Sequence, residues 1–351
     1  MRKHYIDNIR WITVALVLVY HVFYLFNHAG VLGGVAALEG AKCSDALLYF
    51  LYPWFMVLLF LVAGISTRYS LNHRTAKQFI RGRAVKLLVP STLGLFVYQW
   101  ISGYFNLKIG GGLPYIPTLM RYPVFVISGI GPLWFIQMLF LFSLLMVAVR
   151  KLDRSDRLWS VCGKMTLPAL LLLVLPIWGA AQILNLPVLI VYRFGIYFFA
   201  FLLGYFVLSH EAVICRLEKA KIPLGIAAVL LGVLYTLYYF GSDYTSAACL
   251  QSFFTNLYLW IAVLAVLGCA KAWLDFQSAF TSYMSKASFG WYILHYPILL
   301  AVCYVLVHAF SLPAAAVYLI ALAAEFALTA AAFEILKRIP IVRFWVLGIQ
   351  K

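Results

Sequence analysis

Four ionisable side chains, His21, Arg193, His295 and Glu325, lie inside long apolar runs of this chain. In a bilayer such groups are expensive and are kept for function. An imidazole titrating near neutrality takes a proton from a hydroxyl, or carries an acyl group as an acyl-imidazole. A carboxyl such as Glu325 serves as a histidine partner, a proton-relay member or a packing residue, and Arg193 either snorkels or contacts a glycan. A second set, Asp7, Arg10, Arg83 and Lys86, marks the ends of apolar runs. Cations there hold phosphates or reach lipid headgroups. Each group also has a structural reading. A lone buried histidine is as readily a packing residue bonded to a carbonyl, and aromatic residues such as Trp134 usually belong to an interface belt. Two histidines at compatible depth favour a site.

The elements that position these residues are apolar helices. Of 351 residues, 65% are hydrophobic and 11% charged, against about a quarter charged in soluble domains. That excess needs lipid as solvent. The net charge of +16 does not point to nucleic acid, because the basic residues sit in short loops between spans. Six scattered cysteines make no C-x-x-C pair and show no metal-ligand spacing, so no metal is expected. A Cys43–Cys249 disulfide stays open.

About 20 mostly apolar residues make a spanning helix. The pattern predicts an all-α polytopic bundle with about ten spans, at 9–28, 45–67, 87–106, 131–149, 165–184, 188–208, 222–241, 253–270, 288–308 and 313–334, forming a single domain over 1–351. The first is read as a retained helix, because no small-x-small cleavage site follows it. Alternate loops and the two ends hold 23 of the 27 Lys and Arg, whereas the opposite loops hold Lys42, Lys108 and Arg121. The rich side is cytoplasmic, which places both ends of the chain there. At 1.5 Å per residue, His21 lies roughly 15–18 Å and His295 roughly 10 Å above the cytoplasmic helix ends. Asp7, roughly 21 Å from His21 along the same helix, pairs better with Arg10 three residues on. The outer loop 107–130, rich in Gly and Pro, reads as a lid or a re-entrant segment.

The patterns around these residues are familiar. Tyr5-Ile6-Asp7-Asn8-Ile9-Arg10-Trp11, followed by His21, resembles the first helix of the acyltransferase-3 family of membrane acyltransferases. Phe79-Ile80-Arg81-Gly82-Arg83-Ala84-Val85-Lys86-Leu87-Leu88-Val89-Pro90 resembles its basic motif, with Lys86 where the family commonly has a second Arg. Lys keeps the charge and loses the bidentate fork. Gly131-Pro132-Leu133-Trp134-Phe135-Ile136 resembles its Leu-Trp-Phe signature, and Ser288 to Pro297 its late Leu-His-x-Pro helix. The four matches occur in family order over nearly the whole chain.

The resemblance implies an O-acyltransferase of a bacterial cytoplasmic membrane, moving an acyl group, commonly acetyl, from cytoplasmic acyl-coenzyme A to a hydroxyl of a cell-envelope or exported carbohydrate. It makes His21 the catalytic residue, with His295 or Glu325 orienting it or steadying an oxyanion. Arg10, Arg83 and Lys86 are the expected acyl-CoA contacts, and Trp134 and Arg193 the acceptor-side ones. Acyl-CoA is then a co-substrate, with no resident cofactor and no nucleic-acid partner. The acceptor is reached directly or through a separate extracytoplasmic protein. The rival reading is a multi-pass transporter or flippase, which also uses ionisable residues in mid-membrane, although no internal repeat supports it.

Overall fold

The computed structural model describes residues 3–31, 33–153, 155–186 and 191–349. In chain order its principal helices are α1 (His4–Leu25), α2 (Lys42–His73), α3 (Ala76–Ile109), α4 (Arg121–Ser128), α5 (Gly131–Leu152), α6 (Leu167–Ala181), α7 (Phe194–Phe206), α8 (Glu211–Lys219), α9 (Lys221–Tyr239), α10 (Phe253–Trp273), α11 (Ala279–Ala309), α12 (Ala314–Leu336) and α13 (Pro340–Leu347). No sheet is present among the described residues, where the only extended pairing is a single bridge between Asn185 and Arg193.

Among the described residues, eight helices are long and apolar enough to cross a membrane: α1, α2, α3, α5, α9, α10, α11 and α12. The pair α7 and α8, bent by 103°, makes a ninth if taken as one span. The remaining two of the ten expected spans are therefore not plain rods. The expected span 165–184 falls on α6, which is too short to be counted with the long helices. Residues 188–190 of the expected span 188–208 lie outside the described residues. Its described part is the 13-residue α7, which stops because Ser209 Oγ bonds back to the Tyr205 carbonyl at 2.7 Å and the His210 ring stacks on Trp159 at 3.9 Å. Hydropathy registers apolar length and is blind to such a break.

The chain divides into two compact units. The first comprises residues 1–13, 49–80 and 141–285, and the second residues 14–48, 81–140 and 286–351.

In the first unit, α2 and α7 approach backbone to backbone. A side chain at Gly64 would meet the Phe201 carbonyl, and one at Gly204 the Leu61 carbonyl, both at 2.0 Å. Small residues permit this approach, which is how helices gain packing where lipid gives no hydrophobic drive. Tyr258 donates to the Phe50 carbonyl and Trp260 to that of Leu170. The start of α1 is tied down by Asn8, whose amide donates to the carbonyls of Leu274 and Phe276 at 2.7 and 2.9 Å.

In the second unit, the core joins Val22, Leu25 and Phe26 to Leu299, Cys303, Val317, Tyr318 and Ala321. The loop after α1 is ordered by Asp45, which accepts from the His28 backbone N–H at 2.8 Å. Pro90, which has no N–H to donate, lies between two π-helical turns of α3, Ala84–Leu88 and Leu95–Gln99. A missing donor locally releases the α ladder, and π turns concentrate at functional positions. The outer loop turns back as α4, with Asn106 donating to the Ser128 carbonyl at 2.9 Å and Tyr104 edge-on to Phe125. All six cysteines are free thiols, so the Cys43–Cys249 bond is not made.

Candidate active site

His21 and His295, 274 residues apart in sequence, meet in the second unit with His295 Nε2 3.3 Å from His21 Nδ1. Backbone carbonyls fix both tautomers. The Tyr292 carbonyl lies 2.7 Å from His295 Nδ1 and can only accept, so Nδ1 carries the proton and Nε2 a lone pair. The Val17 carbonyl, 2.8 Å from His21 Nδ1, likewise can only accept, so that nitrogen carries the proton. His21 Nδ1–H is thus shared between Val17 and His295 Nε2, and its Nε2 lone pair has no partner among the described residues. His295 is wholly buried, whereas His21 is half-buried. The arrangement holds His21 in one tautomer, with its Nδ1 side facing a second imidazole and its Nε2 lone pair on the other side of the ring.

The surrounding wall is aromatic. Tyr296 lies edge-on to His21 with ring centres 5.2 Å apart, and Tyr20 and Tyr24 flank it at 5.3 and 6.0 Å. The opening turn of α5 packs on the same stretch of α11. The Tyr292 hydroxyl donates to the Pro132 carbonyl. A side chain at Gly131, whose φ is +43°, would meet the Tyr296 ring at 3.0 Å. Three of the sequence motifs, around His21, Gly131 and His295, therefore meet at one place.

The fourth motif lies on α3. Arg83 ends the first regular stretch of that helix and Lys86 sits in its first π turn. Lys86 is exposed, its Nζ 5.3 Å from the centre of the Phe289 ring. The chain leaving α13 closes on this turn, because a side chain at Gly348 would meet the Val85 carbonyl at 2.8 Å. Arg81 and Lys86 are exposed and Arg83 is half-buried, so this short stretch of α3 carries three cations, a charge suited to phosphates.

The other expected residues have surroundings of their own. Glu325 belongs to the second unit, is 0% exposed and has no hydrogen bond to either carboxyl oxygen, so it does not orient His21 in this conformation. Trp134 is half-buried at the start of α5. Arg10 and Arg193 belong to the first unit. Arg10 pairs with Asp7 at 3.2 Å, as their spacing suggested, and donates to Ser66 Oγ at 2.9 Å. Arg193 precedes α7 instead of lying within it, is buried, and donates to the Leu250 carbonyl at 3.1 Å. A cavity of about 560 Å³ in the first unit, between α5, α6 and α7, has Asn185 as its one polar lining residue and no titratable group, which leaves it without chemistry. Sequence reasoning missed Gln99, a wholly buried carboxamide. Its signal was an amide within an apolar run, weaker than a charge.

Comparison with known proteins agrees with this geometry. A family model described as an acyltransferase domain matches residues 3–332. No curated protein and no solved structure matches the chain. With candidate membrane-spanning helices along that match and a histidine pair inside it, the protein is a multi-pass membrane acyltransferase and belongs to the acyltransferase-3 family.

Proposed function

We propose that the protein, acting as one domain over residues 1–351 in a bacterial cytoplasmic membrane, transfers an acyl group, acetyl in the simplest case, from cytoplasmic acyl-coenzyme A to a hydroxyl of a cell-envelope or exported carbohydrate. The observation that carries this reading is the tautomer pair. His21 Nδ1–H is committed to Val17 and His295, which leaves Nε2 as a free base. His21 Nε2 takes the proton of the acceptor hydroxyl as its oxygen bonds to the thioester carbon. The imidazolium is stabilised by Nδ1–H donation to the lone pair of His295. When the carbon–sulfur bond breaks, the thiolate recovers that proton from His21 and leaves as coenzyme A. No net proton is produced, so one histidine serves both half-steps.

Arg83 and Lys86 hold the donor's phosphates, in keeping with their place near the start of the apolar helix α3. Trp134 is an acceptor-side contact. Glu325, with two unpaired carboxyl oxygens, takes hydrogen bonds from substrate hydroxyls. Hand-off of the acyl group to a separate extracytoplasmic protein is compatible with this chemistry.

The test is release of coenzyme A from labelled acetyl-CoA by purified protein supplied with a cell-envelope glycan extract. His21→Ala should abolish release while the protein still inserts and melts as the wild type does. Full turnover by that variant would remove His21 from the mechanism. Arg83→Ala should raise KM for acetyl-CoA several-fold with kcat little changed.

A further inference from the structure

Gln99 ends the second π turn of α3, is 0% exposed, and neither its Oε1 nor its Nε2 has a hydrogen-bond partner. Ser102, three residues on and so on the same helix face, is also 0% exposed with an unpartnered Oγ. Buried polar groups are ordinarily satisfied, and each exception needs an explanation. Loose packing does not supply one here. A side chain at Gly129 would lie 2.2 Å from the Gln99 carbonyl, and one at Gly103 would lie 1.8 Å from that of Phe125, so α4 is pressed on α3 along this stretch. The carboxamide is held in place and left unused.

Its surroundings say what it awaits. At Gly131 the position that any other residue would fill with Cβ lies 3.4 Å from Gln99 Nε2 and 3.0 Å from Tyr296 Cδ1. Tyr296 in turn stands edge-on to His21. With no side chain of its own, Gly131 lets an unpartnered amide and the aromatic wall of His21 come close together, with less than a methyl group's room at that point. Along α3, Gln99 lies thirteen residues beyond Lys86, roughly 20 Å at helical rise, a distance of the order of an extended pantetheine arm. A carboxamide suits the far end of that arm. Its N–H donates to a carbonyl and its oxygen accepts from an amide N–H, and the donor carries both next to its sulfur. A sugar offers hydroxyls but no such complementary pair.

We propose that Gln99 is a catalytic residue that grips the thioester end of the donor: Nε2–H donates to the thioester carbonyl oxygen, most strongly as that oxygen becomes an oxyanion, and Oε1 accepts from the last pantetheine amide. The proposal rests on the reading of His21 as the base in acyl transfer. The electron pair displaced from the carbonyl as the acceptor oxygen attacks resides on the oxygen facing Gln99, and returns when the carbon–sulfur bond breaks. Preorganised donors at such a position are worth about 10²–10³ in kcat.

The experiment uses full-length protein in lipid nanodiscs, acetyl-CoA and free coenzyme A as probes, and the variants Gln99→Met and His21→Ala. Gln99→Met should cut coenzyme A release from acetyl-CoA about 100-fold and weaken acetyl-CoA binding, with affinity for free coenzyme A changed less than about threefold because coenzyme A lacks the carbonyl. Removing two unsatisfied buried atoms should leave the melting temperature equal or higher. Release within threefold of wild type by Gln99→Met, with His21→Ala inactive, overturns the role of Gln99 and leaves the histidine mechanism standing. A lowered melting temperature, or equal losses for coenzyme A and acetyl-CoA, also overturns it, since either would make Gln99 a structural group or a general donor contact. Turnover by His21→Ala would instead sink the reading on which the proposal rests.

Discussion

Arg68 in the first unit and Glu325 in the second are both charged residue types buried within helices, and their surroundings differ completely. Arg68 is held by both oxygens of Asp156 at 2.7 and 3.0 Å, reaches the Tyr205 hydroxyl at 3.3 Å and lies over the Trp159 ring at 4.2 Å. Neither carboxyl oxygen of Glu325 has a hydrogen-bond partner, and the polar side-chain atoms of Gln99, Ser102 and Thr329 in the same unit share that condition. Unpartnered atoms in the first unit mostly belong to groups bonded elsewhere, such as Arg68 Nε, Asn256 Oδ1 and Asp153 Oδ2, with Tyr5 and Thr236 as exceptions. A buried polar group whose partners are complete holds structure together. One with none is a cost that packing alone does not explain. Polar burial is mostly satisfied in the first unit and left open at these four residues of the second.

This contrast can be broken most decisively at His21. Replacement by Ala should lower turnover by about 10²–10⁴-fold, the range for a general base, with melting temperature unchanged; coenzyme A release measures the first and a thermal ramp the second. Next in size, His295→Ala removes the acceptor that orients His21 and should lower kcat by about 10–100-fold while leaving KM for acyl-CoA near wild type. An equal rise in KM would make His295 a binding residue. The first unit should respond in the opposite way. Asp156→Ala leaves Arg68 without its carboxylate and should cost roughly 1–2 kcal/mol of stability, below the range for fully buried pairs because the Asp156 side chain is 41% exposed. Activity per folded molecule should stay within about twofold.

The smallest effect is in pH. The hydrogen bond from Arg68 holds the Asp156 carboxyl below the usual carboxylate range. A carboxyl whose folded value is depressed contributes stability above its unfolded value and loses it as pH falls through the folded one. Acidification below about pH 4 should therefore lower the melting temperature of wild type more than that of Asp156→Ala. Parallel curves would show that this pair contributes nothing to the first unit.

The apolar spans, the charge asymmetry of the loops and the types of chemistry on offer were legible in the sequence, because each is a sum over neighbouring residues and needs no partner to be read. Depth along a helix follows from the rise per residue, so the prospect that His21 and His295 share a level was legible too. That a nitrogen of one lies 3.3 Å from a nitrogen of the other, 274 residues away, was decided by packing. So was the isolation of Glu325, which the sequence offered equally as a histidine partner. The bend between α7 and α8 came from Ser209 and the stacking of His210 on Trp159, contacts invisible to a hydropathy window. Gln99 was silent in the sequence because an amide carries no charge. Only the close approach of α4 and the turn at Gly131 made it a buried group with nothing to bond.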